Sequence, residues 1–353
     1  MNYRDEFKKI IENIKVSRMT PPEKFNAEMQ PLIHFIQNNI PAALYRFREC
    51  TEINIDAFNK DEIWLSKASK FNDPHDSLLF FDKSAILNQA QQMFSPENWK
   101  VMFEALKQPK SILSQLSFQN HDMPIVIEDK LNTLDEQSFF NIAQQVMPNL
   151  DIFLDSCFGS LKNEIRNQIK MSCLSENINS PLMWAHYADN HTGFAIGYDF
   201  RGNEISQCSN CRNRSCNSIK NASIYPIIYS DERFDATQYG KWYVEQYMKI
   251  SLGIATEAVF EDEFLFTKAA LHKSSDWKYE DEWRIICSTP DQAAEQKDCY
   301  PVKKRPMAIY LGSQISDINK NVLTQIADEK GIAKYQMYVE DYTRKYELNY
   351  KRL

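Results

Sequence analysis

The sequence predicts an α+β fold, with a mixed, mainly antiparallel sheet as its core, a large helical insertion and helices at the N terminus. Segments with strand-like composition occur on both sides of a long stretch rich in Gln, Asn, Leu, Phe and Met. They do not alternate regularly with single helices, and the chain contains neither a G-x-G-x-x-G loop nor a Walker pattern. A doubly wound nucleotide-binding fold is therefore not expected, and we predict a sheet assembled from both sides of the insertion.

Length and composition set the broad class of protein. The 353 residues, of which 43% are hydrophobic and 12% aromatic, are enough for one large or two ordinary cores. The formal charge of −7 gives no overall basic field, and a local basic cleft stays open as an alternative. The chain has no signal-peptide pattern and no apolar run that approaches the roughly 20 residues of a membrane span. We expect a cytoplasmic protein without a membrane partner, whose eight cysteines are reduced thiols.

The first 83 residues predict two helices followed by two strands. Apolar residues recur at helical spacing over 4–17, and a second helix is predicted over 23–39, so residues 1–40 form the N-terminal helices. "AALYRFREC" (42–50) and "DEIWLSKASKFNDPHDS" (61–77) are typical of strands and are close enough in sequence to pair. They form the first part of the predicted core, residues 41–83.

The remainder divides into a helical insertion, residues 84–170, and the second part of the core, residues 171–353, with a Cys-containing loop at about 202–222. A helix is predicted over 236–272. Strands are predicted at 171–176, 193–200, 223–230, 282–287, 307–312 and 334–341. The insertion is a candidate surface for a partner protein, and a lid or a spacer are the alternatives.

"KYEDEWRII" (278–286) carries the most suggestive acidic pair. Strand alternation sends Glu280, Glu282 and Arg284 to one face, with the two glutamates roughly 7 Å apart. Mutual repulsion and partial burial would raise the pKa of one glutamate, while Arg284 would hold the other ionised. Such a pair suits the cleavage of a glycosidic-type bond. The alternative is an ordinary strand with one solvated face.

"LYRFREC" (44–50) places Arg46 and Arg48 on one side of a predicted strand and Tyr45 and Phe47 on the other. The planar fork of arginine binds phosphate through two parallel hydrogen bonds, so Arg46 is a candidate ligand for a nucleotide pyrophosphate. A pair of surface arginines without a ligand is the alternative.

"SPLMWAHYADNHTGFAIGYDF" predicts a helix, a turn and a strand. Ser180 is placed to cap a helix that begins at Pro181, and a glycine closes the turn. His186 and His191 are candidate acid–base or ligand groups, His191 being the more interesting. The alternative for each is a structural histidine whose hydrogen bonds hold the turn.

"FNDPHDS" packs Asp73, His75 and Asp76 into a turn, in which Asp76 is placed to cap the segment that follows. Turn chemistry is the first interpretation. The alternative is a metal site, because carboxylates and an imidazole are hard-metal ligands, although their spacing matches no metal motif.

"QCSNCRNRSC" contains Cys208, Cys211 and Cys216 in a hydrophilic loop. The first two have the spacing of zinc ligands, but a structural zinc site needs a fourth ligand, which would have to come from a distant part of the chain. Zinc is therefore a candidate cofactor of this loop, and free surface thiols are the alternative.

Several motifs in this order resemble a bacterial family of unknown function: "LYRF", "FNDP", "CLSE", "MWAHYADNHTGF" and "YEDEWR". That family is defined by F-N-D-P and W-x-x-Y-A-x-x-H-x-G-F, and the resemblance spans roughly 42–312, with the helical segment as its variable part. Members of the family are often suspected of roles in phage defence. The resemblance implies a grouping rather than an activity.

A second resemblance, to ADP-ribosyltransferases of the arginine-serine-glutamate type, implies an activity. Those enzymes carry an arginine, a serine and a Glu-x-Glu pair in the order in which Arg46, Ser175, Glu280 and Glu282 occur here. The resemblance implies that Arg46 and Ser175 position NAD and that Glu282 promotes the loss of nicotinamide. It implies further that Glu280 orients the acceptor, a role for which His191 is also a candidate. Tyr45, Asn72 and Tyr187, which belong to the same motifs, complete the candidate NAD-binding residues.

The leading prediction is thus an NAD-consuming ADP-ribosyltransferase that modifies an unknown macromolecule, protein or nucleic acid, as a toxin or effector in phage defence. One alternative is a metal-dependent nuclease that uses Asp73, His75, Asp76 and a late glutamate, with phosphate contacts from the basic residues near Cys211. The other is a non-catalytic sensor or adaptor whose aromatic motifs are all core.

Overall fold

The structure is a computed structural model that describes residues 2–17, 19–93, 150–201, 222–251, 259–287 and 299–353, together with residues 95, 135, 137, 138 and 141. It confirms the α+β class, because helices surround one large, mostly antiparallel sheet. Within these ranges, none of the helices has both the length and the apolar character that crossing a bilayer requires.

The described helices and strands run in the following order along the chain. The α-helices are α1 (Tyr3–Asn13), α2 (Pro22–Asn39), α3 (Glu52–Asn59), α4 (Lys83–Met93), α5 (Leu150–Gln168), α6 (Pro181–Tyr187), α7 (Thr237–Ser251), α8 (Leu265–Ala270) and α9 (Asp317–Lys330). Short 3-10 helices cover Ala68–Lys70 and Ser275–Glu280. The strands are β1 (Leu44–Arg48), β2 (Glu62–Lys67), β3 (Leu79–Phe80), β4 (Lys170–Ser175), β5 (Phe194–Tyr198), β6 (Ala222–Pro226), β7 (Ile228–Ser230), β8 (Phe234–Asp235), β9 (His272–Ser274), β10 (Glu282–Cys287), β11 (Cys299–Lys303), β12 (Ala308–Leu311), β13 (Ala333–Val339) and β14 (Leu348–Arg352).

The large sheet has the strand order β11-β2-β4-β1-β5-β12-β13-β14, and β10 and β6 branch from it at β4. Only β12 and β13 pair in parallel in this sheet, since α9 carries the chain back from the end of one to the start of the other. β1 and β2 precede the predicted insertion, and β4, β5 and β10 follow it. The prediction that the sheet is assembled from both sides of the insertion is therefore confirmed.

β4 is the branch point of the sheet, and the branching opens a gap. Along one side β4 pairs with β10 over its whole length, from Lys170 to Ser175. On the other side it pairs with β2 only at its start and with β1 only at the pair Tyr45 and Ser175. β1 and β2 are close enough in sequence to pair but do not pair with each other, because each uses its hydrogen bonds on β4 and on an outer neighbour. The two strands consequently diverge beside the middle of β4.

Two apolar cores hold this sheet from opposite faces. Trp283 and Ile285 of β10 pack on one face with Leu44 and Phe194. Ile286 of β10 points to the other face, which α1 and α2 cover with side chains such as Phe7, Ile11, Leu32 and Phe35. The odd and even positions of β10 therefore face different cores, as alternation in a strand requires.

Other predicted boundaries change in the structure. The first helix ends at Asn13 rather than at residue 17, and α2 agrees with its prediction to within one residue. The single helix predicted over 236–272 is wrong, because residues 259–264 are not helical and separate α7 from α8. The segment 223–230 forms two strands in different sheets, β6 and β7, interrupted at Ile227. Both described ends of the predicted insertion are helical, α4 and α5, and the loop 202–221 lies outside the described residues.

Candidate functional site: a cleft at the branch of the sheet

A cavity of about 390 Å³ lies where β1 and β2 separate from β4. Seven of the predicted site residues line it: Tyr45, Arg46, Asn72, Ser175, Tyr187, Glu280 and Glu282. They come from both sides of the predicted insertion, so the fold brings together what the sequence keeps far apart. We refer to this cavity as the cleft.

The strand register explains how three of these residues meet. Tyr45 of β1 stands opposite Ser175 of β4, and Ser175 stands opposite Glu282 of β10. Residues that are paired across antiparallel strands point to the same face of the sheet. Tyr45, Ser175 and Glu282 therefore form a row across three strands on one face of the cleft.

The acidic side of the cleft is a buried chain of ion pairs. Lys273 of β9 donates to both Glu280 and Glu282, at 2.9 Å from the latter. Arg284 donates from Nε to Glu282 at 2.6 Å and from Nη1 and Nη2 to Asp76 at 2.8 and 2.5 Å. All five side chains are more than nine-tenths buried. A bidentate arginine–carboxylate pair of this kind fixes geometry as well as charge.

The two glutamates are driven to different protonation behaviour. Burial raises the pKa of Glu280 to about 7, with a further upward contribution from the charge of Glu282. Burial also acts to raise the pKa of Glu282, but Arg284 and Lys273 outweigh it and hold that pKa well below its usual range. The spacing of the two glutamates and Arg284 in the sequence predicts this division, with Arg284 as the residue that keeps one glutamate ionised. Pairs of carboxylates whose environments separate their pKa values are typical of acid–base sites.

Glu280 is also tied to the motif that precedes β5. The hydroxyl of Tyr187, at the end of α6, donates to Glu280 Oε1 at 2.5 Å. Asn72 Nδ2 in turn donates to that hydroxyl oxygen at 3.3 Å. A hydrogen-bonded chain thus runs from the exposed Asn72 to the buried carboxylate of Glu280.

The local geometry around Glu280 differs from the prediction. Strand alternation was expected to place Glu280 and Glu282 on one face, but Glu280 ends a 3-10 helix and the strand begins only at Glu282. Between them Asp281 has a φ of 44°, in the left-handed region. The two carboxylates share the cleft because the chain turns at Asp281 and Lys273 bridges them, not because a strand alternates.

The opposite side of the cleft is cationic. Arg46 is 8% exposed, and its Nη2 donates to the carbonyl oxygen of Trp64 on β2 at 2.8 Å, across the gap between the two strands. Its Nε and Nη1 are buried and have no hydrogen-bond partner among the residues that the structure describes. Arg48 also lines the cleft, and neither arginine forms an ion pair with a described residue. The cleft therefore has an anionic side and a cationic side.

His191 does not join the cleft. It lies in the turn between α6 and β5 with a φ of 70°, following Asp189 and Asn190, which are also left-handed. Its carbonyl oxygen accepts the N–H of Gln314, so the turn packs against the loop after β12. The prediction that His191 assists the reaction is not supported by this position, and the exposed His186 lines the cleft instead.

The two predicted metal clusters have different outcomes. Asp76 does not cap a following helix; it is buried and its two oxygens face Arg284. Asp73 accepts the backbone N–H of His75 at 2.8 Å, as expected for turn chemistry. Across the described ranges, no group of three or more His, Cys, Asp or Glu side chains could hold a metal ion. Cys208, Cys211 and Cys216 lie outside the described residues.

Sequence reasoning missed two residues of the cleft. Lys273 could not be recognised from the sequence, because a single lysine in "LHKSS" is indistinguishable from a surface lysine. Only the folded position of β9 places it between the two glutamates. Ser172 in "MSCLSE" was passed over for Ser175. The alternation of side chains along β4 is the one sequence feature that distinguishes the two serines, since it places Ser172 and Ser175 on opposite faces of the sheet.

Fold and cleft together define an α+β protein with a charged cleft at a branched sheet. Over residues 183–285 the chain matches a family model described as a protein of unknown function (DUF2971). The chain is therefore similar to an uncharacterised family over the segment that contains Tyr187, His191, Glu280 and Glu282. Arg46 and Ser175 lie before that segment. No curated protein and no solved structure gives a significant match.

Proposed function

We propose that the cleft binds NAD and that the protein transfers the ADP-ribosyl group of NAD to a macromolecule. The observation that carries this proposal is the meeting of Arg46, which has unused donors, with the ionised Glu282 in one cavity of about 390 Å³. This volume lies within the range of small-molecule sites, roughly 300–1,000 Å³.

The two sides of the cleft suit the two halves of the reacting ligand. The guanidinium of Arg46 offers Nε and Nη1 to the oxygens of the pyrophosphate. The carboxylates of Glu280 and Glu282 then face the ribose that carries nicotinamide. A dinucleotide bound in this orientation would span the gap between β1 and β4.

The chemistry follows from the difference in pKa. The bond between the ribose C1′ and nicotinamide breaks, nicotinamide leaves with the electron pair, and the ribose ring gains positive charge. Glu282, which stays ionised, stabilises that charge electrostatically. The acceptor then bonds to C1′ and gives its proton to Glu280, whose pKa of about 7 suits a general base at neutral pH.

Glu282 acts in this scheme as a fixed anion. Both of its oxygens already accept hydrogen bonds, Oε1 from Arg284 at 2.6 Å and Oε2 from Lys273 at 2.9 Å. The lowered pKa of Glu282 also makes its carboxylate a weak nucleophile toward C1′. We therefore propose direct transfer to the acceptor without a covalent glycosyl-enzyme.

The test measures nicotinamide release from NAD and transfer of labelled ADP-ribose to macromolecules of a bacterial extract. Glu282→Gln keeps the shape of the side chain and is expected to lower both signals at least 100-fold. Glu329→Gln, an equivalent change on the exposed side of α9, serves as the matched control and should leave both signals unchanged. Thermal unfolding of each variant checks that the fold is retained. Equal labelling by the wild-type protein and Glu282→Gln would refute the assignment.

The label also identifies the acceptor. Digestion of the labelled extract with a protease or with nucleases separates a protein acceptor from a nucleic acid. Growth arrest on expression in bacteria, relieved by Glu282→Gln, would support the expected role as a toxin or effector, for which phage defence is the proposed setting.

One observation favours a second candidate, a ligand sensor without turnover. Each carboxylate oxygen of Glu280, Glu282 and Asp76 accepts at least one hydrogen bond from a side chain of the cleft or its surroundings. A network that is fully satisfied can be structural rather than catalytic. Calorimetric binding of NAD without release of nicotinamide in any extract would favour the sensor.

A further inference from the structure

Ser172 has a buried hydroxyl with no structural task. The residue lines the cleft and is 3% exposed, and its Oγ has no hydrogen-bond partner. Ser175, the serine implied by the resemblance to ADP-ribosyltransferases, differs in this respect, because its Oγ accepts the N–H of Asn177 at 3.1 Å. Buried polar groups of native proteins are rarely left unpaired, so the Ser172 hydroxyl calls for a partner that the described part of the chain does not supply.

Strand alternation places Ser172 on the side of the arginines. Tyr45 and Ser175 pair across β1 and β4 and point to one face. Arg46 and Arg48 in β1, and Ser172 in β4, are offset from that pair by odd numbers of residues, so all three point to the other face. The cleft reaches both faces because β1 and β2 have separated beside this part of β4.

On the arginine side of the cleft, the described side-chain groups that lack a hydrogen-bond partner are nearly all donors. Arg46 contributes Nε and Nη1, and the hydroxyl of Ser172 can donate its proton. Among the described residues, the side chain of Arg48 makes one hydrogen bond, from Nη1 to the carbonyl oxygen of Phe47 at 3.1 Å, and burial lowers the pKa of Arg48. Two guanidiniums without a carboxylate, beside a free hydroxyl, are chemically complementary to an anion with several oxygens.

We propose that Ser172, Arg46 and Arg48 form an anion subsite of the cleft that takes the pyrophosphate group of its ligand. The assignment of that pyrophosphate to NAD rests on the proposed function, whereas the subsite itself does not. Arg46 supplies a forked donor, Arg48 supplies charge, and the Ser172 hydroxyl donates to a phosphate oxygen. Ser172, rather than Ser175, is the serine that contacts the ligand.

Isothermal titration calorimetry of the full chain with sodium pyrophosphate and with ADP-ribose tests this subsite. Both ligands should bind the wild-type protein, and Ser172→Ala should weaken both about tenfold, the effect of losing a hydrogen bond to a charged group. The ligand-free Ser172→Ala protein should unfold at no lower temperature than the wild type, since its Oγ has no partner to lose. Ser69→Ala, which removes an exposed hydroxyl outside the cleft, is the matched control.

Each outcome decides the proposal. Equal affinity of Ser172→Ala and wild type, a larger loss in Ser175→Ala, or no binding of either ligand to the wild type would overturn the subsite. A lower unfolding temperature of ligand-free Ser172→Ala would also overturn it, because the hydroxyl would then have a structural partner. Pyrophosphate binding that depends on Ser172, without nicotinamide release from NAD, would support the subsite and refute the proposed transferase. If Ser172→Ala releases nicotinamide at the wild-type rate and binds both ligands with wild-type affinity, the result would refute the subsite and support the proposed transferase.

Discussion

Glu280 and Glu282 are separated by one residue, yet the protein gives them opposite protonation behaviour. Burial raises the pKa of Glu280 to about 7, and Arg284 and Lys273 keep the pKa of Glu282 well below its usual range. The sequence predicted the division from the spacing of the acids and from Arg284. It could not predict Lys273 or Asp76, because their contacts depend on β9 and on a turn far away in the chain.

The first prediction concerns the pH dependence of the proposed reaction. If Glu280 is the general base, the rate of NAD consumption should fall to half at a pH of about 7 on the acidic side. The hydroxyl of Tyr187 donates to Glu280 and favours its ionised form. In Tyr187→Phe, the pH at which the rate falls to half should therefore rise by about 0.5–1 pH unit, the equivalent of one hydrogen bond.

The measurement is the rate of nicotinamide release between pH 5 and pH 9. Tyr346→Phe removes the hydroxyl of a fully exposed tyrosine and serves as the control. If the pH of half-maximal rate on the acidic side is the same in Tyr187→Phe and in the wild type, Glu280 is not the group that titrates.

The second prediction concerns stability. The pKa of Glu280 is raised in the folded state, so the protonated form is favoured there, and its contribution to stability is lost as the pH rises from about 4.5 to about 7. Glu280→Gln removes this titration. Between pH 5 and pH 8 the wild type should lose more stability than Glu280→Gln does, by a difference on the order of 1 kcal/mol.

Unfolding temperatures at the two pH values, with Glu329→Gln as the control, measure this difference. A parallel response of the wild type and Glu280→Gln would contradict the raised pKa.

At the scale of elements, the turn between α6 and β5 was predicted well from its motif. Ser180 Oγ accepts the N–H of Met183 and caps α6, whose first residue is Pro181, as expected. Gly193 closes the turn because a side chain does not fit there: an added Cβ would lie 2.2 Å from the carbonyl oxygen of Arg48. These signals are local, which is why a single sequence was enough to find them.

The third prediction uses that close approach. Gly193→Ala should destabilise the protein by about 3 kcal/mol, since backbone of β1 would have to move. Gly159→Ala is the matched control, because an added Cβ in the middle of α5 meets no atom within 4 Å. It should raise stability by about 0.5–1 kcal/mol through helix propensity. Thermal or urea unfolding distinguishes the two, and equal effects would contradict the packing of the turn.

The fourth prediction concerns α1, which is attached to the start of β10. Arg4 donates from Nη1 to the carbonyl oxygens of Ile227 and Glu282 at 2.8 and 3.0 Å and pairs with Glu176 at 2.5 Å. Arg4→Met removes three charge-assisted hydrogen bonds. The carbonyl oxygen of Glu282 keeps the N–H of Ile227 and Glu176 Oε1 keeps the indole N–H of Trp283, so the main loss is at the carbonyl oxygen of Ile227. The change should cost about 2–3 kcal/mol of unfolding free energy.

Lys8→Met tests the same helix at an exposed position, where the ammonium lies 3.8 Å from Glu12. Such an exposed pair contributes at most about 0.5 kcal/mol. A loss in Arg4→Met no larger than that in Lys8→Met would show that the buried contacts of α1 do not hold it to the sheet.

At the scale of the whole molecule, the cleft exists because β4 has three neighbours. The sequence predicted most strands from their apolar composition, including β10 at its observed bounds. It did not predict which strands pair, because pairing depends on partners that are distant in sequence, such as Tyr45 of β1 and Ser175 of β4, 130 positions apart. A pairing of β1 with β2, which their closeness in sequence allows, would have closed the gap that Arg46 and Ser172 line.

The prediction of helix over 236–272 failed for a related reason. The segment is rich in aromatic and other large apolar residues, which a helix and a packed loop can bury equally well. Asp262 and Lys268 form a buried pair there, 2.6 Å apart, and Lys268 also donates to the carbonyl oxygen of Ile14. That contact with the chain after α1 is tertiary, so periodicity within the segment does not reveal it.

A crystal structure of the protein with ADP-ribose bound tests the central claim most directly. We predict that the ligand occupies the cleft, with its pyrophosphate on Arg46 and Ser172 and its free ribose against Glu280 and Glu282. A ligand bound elsewhere on the chain, or bound in the cleft with its pyrophosphate away from Arg46, would contradict the claim that the cleft is built for a dinucleotide.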